Sequence, residues 1–457
     1  MNKVSLYQRH KIIYTDPVSG KFNKIRLTSM SFIALTFFIL PWILYDNKQA
    51  FLFDLSCTRF YFFGSIFWPQ DFILLALICI IAIITLFIIT VFAGRVWCGF
   101  LCPQSIWIKI ASFLNRKLEG NRLKRKKNDQ SNLNIHILKN KIIKHTLWIL
   151  FSTLTAFTFV AYFVPINFLY TNIIALKFKY WSFFWIFFFS TLTYINIGWF
   201  KEQFCFIICP YSRLQSVMFD ENTLIVAYDK KRGEKRGSRA KNFDYKKNNL
   251  GDCIDCYQCV NCCPTGIDIR DGLQMECIGC AACIDACNNV MKKMNYNPNL
   301  ITYMKESSLN EELKFKNKTS IIRLTAYLLI LFLLSSTFYY ISNNRSLMQF
   351  NINRSQNQLY NIDKNGNIEN SYILKVTNKT LEKHIYNISI LNDDFKYIGL
   401  NQIILHGEET AVLEIKLLLK NKKNNILKFT DVIFKIECLN LIKNNTAIKN
   451  SKFIIPT

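Results

Sequence analysis

Five cysteines fall within eleven residues in "CIDCYQCVNCCP" (253–264), one more than a four-coordinate site uses. Two runs set in register explain the spacing. Cys253, Cys256, Cys259 and Cys263 form the first; Cys277, Cys280, Cys283 and Cys287 form the second, each member displaced by the same 24 residues. Both read C-x2-C-x2-C-x3-C, and Pro264 follows the first. Thiolate sulfur is a soft, strongly donating ligand, so duplicated runs of this kind point to iron–sulfur chemistry.

The spacing is that of bacterial ferredoxins with two [4Fe–4S] clusters, in which the fourth cysteine of each run serves the other cluster. It predicts Cys253, Cys256, Cys259 and Cys287 around cluster one, and Cys277, Cys280, Cys283 and Cys263 around cluster two. Cys262 is then the surplus residue; its counterpart in the repeat is Ala286. Ligation by Cys262 in place of Cys263 is the alternative, and Pro264 argues for the register on Cys263. Zinc requires two C-x2-C pairs across a longer gap, which the duplicated triple steps fit poorly. Asn288 stands where a second proline is common; that loosens a turn and removes no ligand.

A second repeat carries thiols. "WCGFLCPQS" (97–105) and "FCFIICPYS" (204–212) each contain C-x3-C-P. Cys98 with Cys102, and Cys205 with Cys209, are spaced to share a face if helical. Pro103 and Pro210 predict a kink or unwinding there. Were the two segments to pack together, four thiols would converge, suited to a soft ion such as Cu(I) or to dithiol cycling. Two pairs of packing cysteines are the plainer alternative. The five histidines, His10, His136, His145, His384 and His406, do not lie deep in an apolar run, which argues against a membrane haem with two axial histidines. No Rossmann fingerprint or Walker loop occurs in the right context. Cys57, Cys79 and Cys438 are isolated and read as packing residues. "FWPQDF" (67–72) suggests no chemistry.

These residues need elements to position them. Five segments have the length and apolarity of membrane spans: Leu27–Tyr45, Phe72–Gly94, Thr146–Val164, Tyr180–Phe200 and Leu324–Ile341. Lys3, Arg9, Lys11, Lys21, Lys24 and Arg26 precede the first, and "RKLEGNRLKRKK" follows the second. The loops 46–71 and 165–179 carry only Lys48 and Arg59, and Lys177 and Lys179. Positive residues stay inside, which puts the N-terminus, 95–145 and 201–320 in the cytoplasm and 342–457 outside. The start of the chain is too polar, for too long, to read as a cleaved signal peptide. Composition agrees: the chain is 51% hydrophobic with 39 Phe yet has a net charge of +26, so basic and apolar residues are segregated. That pattern fits a protein of the lipid bilayer with basic flanks and argues against a nucleic-acid partner. Clustered cysteines fit a metal site in a reducing compartment better than a disulfide framework.

The tail alternates apolar and polar residues in "SYILKVTN", "HIYNISIL", "AVLEIKLLL" and "DVIFKIEC", with turn-forming residues between, as a small antiparallel sandwich does. The expected organisation is a multi-domain membrane protein. A cytoplasmic segment 1–26 precedes an α-helical four-span region 27–200 with its loop 95–145. A cytoplasmic region 201–320 holds a 2[4Fe–4S] ferredoxin-like α+β domain at 250–295. A fifth span at 321–341 leads to an all-β sandwich at 342–457.

"GRVWCGFLCPQSIW", "EQFCFIICPYSRLQSVMFDENTLIVAYD", "RGEKRG" and "GDCIDCYQCVNCCPTGIDIRDGLQMECIGCAACIDAC" together resemble cytochrome c oxidase accessory proteins of the CcoG/FixG type. The resemblance covers most of the chain, including a C-terminal immunoglobulin-like domain with "YILKVTNKT". It implies a bacterial inner-membrane location and a part in assembling a cbb-type oxidase, by reduction of Cu(II) to Cu(I). Oxidase subunits or copper-handling proteins would then be partners, and a cytoplasmic protein or a quinol the electron donor. In such a cupric reductase Cys98, Cys102, Cys205 and Cys209 are the copper or redox thiols. A quinol-linked carrier without a copper role, and a structural assembly factor whose clusters sense redox state, are the competing readings.

Overall fold

The computed structural model describes residues 13–132, 134–175, 180–219, 222–241, 243, 245, 247–305, 317–355, 358–363, 367–420, 429–440 and 446–455. His10 and the orienting charges Lys3, Arg9, Lys11, Lys177 and Lys179 lie outside the described residues. Among the described residues, five helices are long and apolar enough to cross a membrane: Lys21–Trp42, Pro69–Ala93, Ile135–Val160, Tyr180–Phe200 and Ile321–Asn343. The third starts well before its apolar stretch, because Lys139, Lys141 and Lys144 are good helix formers that hydropathy alone does not register. The first ends sooner than expected, in a 3₁₀ turn at Leu40–Trp42, because Pro41 cannot continue the ladder.

The described chain forms two compact units, one of Met1–Ile43 with Cys79–Phe332 and one of Leu44–Ile78 with Leu333–Thr457. In the first unit the third and fourth spans pack together, with Thr153 Oγ1 and Ser190 Oγ 3.1 Å apart and Phe159 and Phe189 stacked edge to face at 4.7 Å. Leu150, Phe183 and Phe187 stay exposed on these helices, as side chains facing lipid must.

The cysteine-rich region of this unit is built around an antiparallel strand pair, Leu224–Tyr228 with Ile301–Lys305, and the helices Gln258–Asn261 and Ala282–Met294. Val226, Ile269, Ile284, Met291, Leu300 and Ile301 fill its core. The 24-residue repeat is also a repeat of backbone. Asp255 and Gly279 have φ of 53° and 62°, and Tyr257 and Ala281 have φ of 55° and 58°. Each pair sits between cysteines of its run, where the chain must turn sharply to bring C-x2-C sulfurs round one point.

In the second unit two antiparallel sheets face each other. One has the strand order Phe395–Ile398, Thr410–Leu419, Ile368–Asn378, Met348–Arg354; the other runs Gln402–Leu405, His384–Ile390, Phe429–Cys438, Thr446–Ile454. Their inward residues, including Tyr372, Leu374, Tyr386, Phe434 and Phe453, form one core, in which Cys438 is also buried. The four alternating segments noted in the sequence all fall in these strands.

The loop between the first two spans, unread in the sequence, forms a three-stranded meander, Phe51–Asp54, Arg59–Phe62 and Ser65–Phe67. Glu408 of the sandwich accepts from Arg59 at 3.0 Å and Tyr61 at 3.2 Å and pairs with Lys48. "FWPQDF" gains a structural role here. Asp71 accepts from the Trp68 backbone N–H at 3.1 Å, opening the second span, and lies 3.7 Å from Arg345 and 3.8 Å from Lys379.

Candidate metal centres

Two small cavities lie within the cysteine-rich region. One is lined by Cys253, Cys256, Cys259 and Cys287 together with Tyr228, Arg270 and Leu300. The other is lined by Cys263, Cys277, Cys280 and Cys283 and also by Cys259, together with Thr265 and Ile267. The fourth cysteines supply the crossing: Cys287 lies on Ala282–Met294 and Cys263 just past the end of Gln258–Asn261, while the turns before each helix carry the first two cysteines of each run. Cys262 lines neither cavity; it is buried and its Sγ donates to the Cys259 carbonyl at 3.3 Å.

Burial and the mutual repulsion of thiolates push Cys277 and Cys287 up to about 12, and burial pushes Cys259 up to about 12. Alone, these groups are neutral thiols. Iron loading must therefore release protons, and the cationic metal supplies the charge that burial otherwise forbids. Soft donors, two cysteine-rich linings and apolar walls all fit cubane iron–sulfur clusters. Around the first cavity, Arg270 is buried, pairs with Asp255 at 2.5 Å and Asp268 at 2.6 Å, and stacks on Tyr257 at 4.4 Å. Cys256 and Tyr257 are exposed.

The loop bearing Cys277 and Cys280 packs against the first C-x3-C-P segment. Cys98 lies on the short helix Val96–Phe100; Leu101 leaves the helix, and Cys102 takes an extended conformation to cap Pro103–Glu119. Cys205 lies in the π-helical turn Phe204–Ile208, and Cys209 caps Pro210–Met218 in the same extended way. The prolines unwind both segments as the sequence predicts. Neither pair therefore shares one continuous helical face, because a residue preceding proline is driven out of the helical region.

The four thiols nonetheless lie in one neighbourhood without meeting at one point. Cys205 feels the charge of Cys102, Cys98 and Cys209, and Cys98 that of Cys102 and Cys209; with burial as the larger cause, Cys98 and Cys205 both rise to about 12. The Cys98 thiol donates to Gln215 Oε1 at 3.3 Å. Gln104 and Asn196 exchange two amide hydrogen bonds of 2.7 Å, holding the first segment to the end of the fourth span. Among the described residues, no three His, Cys, Asp or Glu side chains stand close enough to hold a single metal ion.

Residues with no signal in the cysteine spacing weld this quartet to the second cavity. Arg95 is buried and donates to the carbonyls of Cys277 at 3.3 Å, Ser212 at 2.8 Å and Met275. Gly99 packs so closely that a Cβ there would lie 2.9 Å from Cys280 Cα. Phe100 enters the core of the cysteine-rich region. Asp285 caps the first span, accepting from the Phe22 and Asn23 backbone N–H groups at 3.2 and 2.7 Å. Arg26 Nε donates to the Gly99 carbonyl at 2.8 Å. Only glycine's small size at position 99 could have been noticed in the sequence.

Comparison with known proteins follows the same division. Residues 200–306 match a 4Fe–4S dicluster domain, residues 75–120 a 4Fe–4S binding domain, and residues 338–456 the IG-like fold at the C-terminus of FixG. The chain is 34% identical over 303 residues to nitrogen fixation protein FixG of Rhizobium meliloti, covering 65% of this chain and 58% of that protein. It is 34% identical over 405 residues to protein RdxB of Cereibacter sphaeroides, covering 85% of this chain and 84% of RdxB. A crystal structure of a FixG-related protein from Vibrio parahaemolyticus aligns with 24% of this chain and 97% of its own, at 27% identity and a TM-score of 0.21. Identity that runs through spans, iron–sulfur region and sandwich alike makes this chain a member of the FixG-type family.

Proposed function

We propose that this protein reduces Cu(II) to Cu(I) at the bacterial inner membrane for the assembly of a cbb-type cytochrome c oxidase. Cys253, Cys256, Cys259 and Cys287 would hold one [4Fe–4S] cluster, and Cys263, Cys277, Cys280 and Cys283 the other. When bound, each cluster supplies a one-electron carrier, matched to the single electron that Cu(II) requires. Cys256 and Tyr257, exposed beside the first set, give an external donor its approach. Loop charges favour a cytoplasmic iron–sulfur domain and a periplasmic sandwich, which would meet oxidase subunits or copper-handling proteins.

The observation that carries the reading is the join at Arg95 and Gly99. It fixes the C-x3-C-P thiols against the loop bearing Cys277 and Cys280, so an electron need cross only packed backbone to reach them. Soft thiols favour Cu(I) over Cu(II) and so raise the potential of bound copper. The test is anaerobic reduction of Cu(II) by purified protein whose clusters have been chemically reduced. One Cu(I) per electron stored is expected; no Cu(I) would overturn the copper reading.

A second reading of the quartet has its own support. A 4Fe–4S binding domain model spans Cys98 and Cys102, and the four thiols do not converge on one ion. The eight cysteines of the two cavities do not converge on one ion either, as expected of sets that surround a cubane. Changing Cys98 and Cys102 to Ser separates the readings. Loss of Cu(I) affinity with iron unchanged supports copper; loss of roughly a third of the iron supports a further cluster.

A further inference from the structure

A cleft of about 400 Å³ opens beside the end of the fourth span, within the first unit, and the electron path above does not use it. Trp148, Tyr194, Ile195, Trp199 and Phe200 give it aromatic and apolar walls; His145 and the turn Lys201–Gln203 form its polar edge. Its size and lining are those of a site for a small organic ligand. The fourth span passes into a π-helical turn here, Asn196–Phe200, a distortion that often marks function.

Two features select a planar ligand with hydrogen-bonding groups. His145 Nδ1 and Tyr194 Oη are hydrogen-bonded at 2.9 Å, forming an imidazole–phenol pair at the edge of the cleft. Trp148 is only 4% exposed, yet its indole N–H meets no acceptor among the described residues. A buried donor left unpaired is costly, and a small turn of the indole toward the cleft it lines would bring the N–H to a ligand carbonyl. The nearby Lys144 is matched rather than waiting for an anion: it pairs with Glu119 at 2.6 Å. Gly198 lets the Trp148 ring approach; a Cβ there would lie 3.2 Å from Cζ3.

We propose that this cleft binds the head group of a membrane quinone. The inference rests on the electron-transfer reading and names a donor for it. A quinol reaches this place by diffusion in the bilayer, its tail in lipid and its ring between Trp148 and Trp199. Conversion of one quinol to quinone releases two electrons and two protons. His145 and Glu202 are the groups at the cleft able to take the protons, and the electrons match two one-electron acceptors. Glu202 also lines the polar pocket that contains Cys205 and Cys262, and the Cys205 N–H donates to its carbonyl at 3.1 Å. The cleft and the thiol quartet are thus neighbours along one short turn.

The experiment is photolabelling of the purified full-length protein with an azidoquinone, with decylubiquinone or phosphatidylglycerol as competitor. Label is expected on peptides containing 145–148 or 194–203, displaced by decylubiquinone and not by the phospholipid. Tyr194→Phe and Trp148→Phe should each weaken decylubiquinone binding about three- to tenfold, the loss of one neutral hydrogen bond. Iron content and copper reduction by chemically reduced protein should be unchanged in both. Label spread over the spans, equal displacement by phospholipid, or unchanged affinity in both variants would overturn the proposal. Failed copper reduction with label at the cleft would remove the copper reading and leave the cleft standing.

Discussion

Cys262 and Cys263 are neighbours in the chain with different surroundings. Cys263 lines a cavity with Cys277, Cys280 and Cys283, which Cys259 also reaches, and its sulfur lies 3.2 Å from the Thr265 hydroxyl. Cys262 is turned to its own helix, donating to the Cys259 carbonyl, and borders the polar pocket on the other side. Cys262→Ala should therefore leave iron and acid-labile sulfide at the parent level, because alanine, the residue of its repeat counterpart 286, fills the same space. Cys263→Ala should lose roughly half of the iron in the ferredoxin-like region, since a missing thiolate opens one cluster. Iron lost in Cys262→Ala and kept in Cys263→Ala would shift the register by one residue, and equal loss in both would overturn the assignment. The choice was legible in the sequence because a 24-residue repeat states which positions recur. Gln215 beneath Cys98 and Arg95 over Cys277 recur in no pattern, since one hydrogen bond made across the fold leaves no period behind.

At the scale of elements, two junctions decide whether the parts work together. The first is the seat of the Val96–Phe100 helix on the loop carrying Gly279 and Cys280. A methyl group at Gly99 would meet Cys280 Cα and the Gly279 carbonyl at 2.9 Å, and backbone cannot rotate away. Gly99→Ala should cost about 1–3 kcal/mol, as overpacking does, and slow electron delivery to copper while the iron content stays close to the parent's. Stopped-flow mixing of chemically reduced protein with Cu(II) reads it; an unchanged rate would detach this junction from the electron path. The second junction is Asp71, 8% exposed, between Arg345 and Lys379. Asp71→Ala leaves two cations facing each other in a buried place and should cost about 3 kcal/mol. Asp71→Asn keeps an acceptor for the Trp68 N–H and should cost less. Calorimetry of the sandwich transition in the full-length protein measures both. The strands were legible because alternation shows which face is buried, as in "SYILKVTN". The meander at 51–67 was not, because Phe51, Phe53, Phe60 and Phe62 make an aromatic run with little alternation between two spans.

For the whole molecule, the five spans were read from apolarity; the fourth has the bounds read from the sequence, and the ends of the others differ for one reason: a helix ends where its backbone hydrogen bonds end. Lys21 opens the first helix because Asp285, 264 residues later, caps it; Ile135 opens the third well outside its apolar part. The fifth span matters more than the ends of the others: if Ile321–Asn343 crosses, the iron–sulfur region and the sandwich lie on different sides of the membrane. The evidence for sides lies in the loops. The segment after the second span holds "RKLEGNRLKRKK", whereas the loop joining the first two spans has only Lys48 and Arg59, both paired with Glu408. Basic residues next to spans are retained on the cytoplasmic side, while a long folded domain crosses largely regardless of its own charge. Reporter fusions ending at Lys305 and at Leu400 should therefore give opposite signals: cytoplasmic for the first and periplasmic for the second. A third fusion at Gly64, in the meander, should match the second. Equal signals at Lys305 and Leu400 would mean that Ile321–Asn343 does not span. The sandwich would then share a compartment with the reduced thiols, and copper would have to be handed on from the cytoplasmic face.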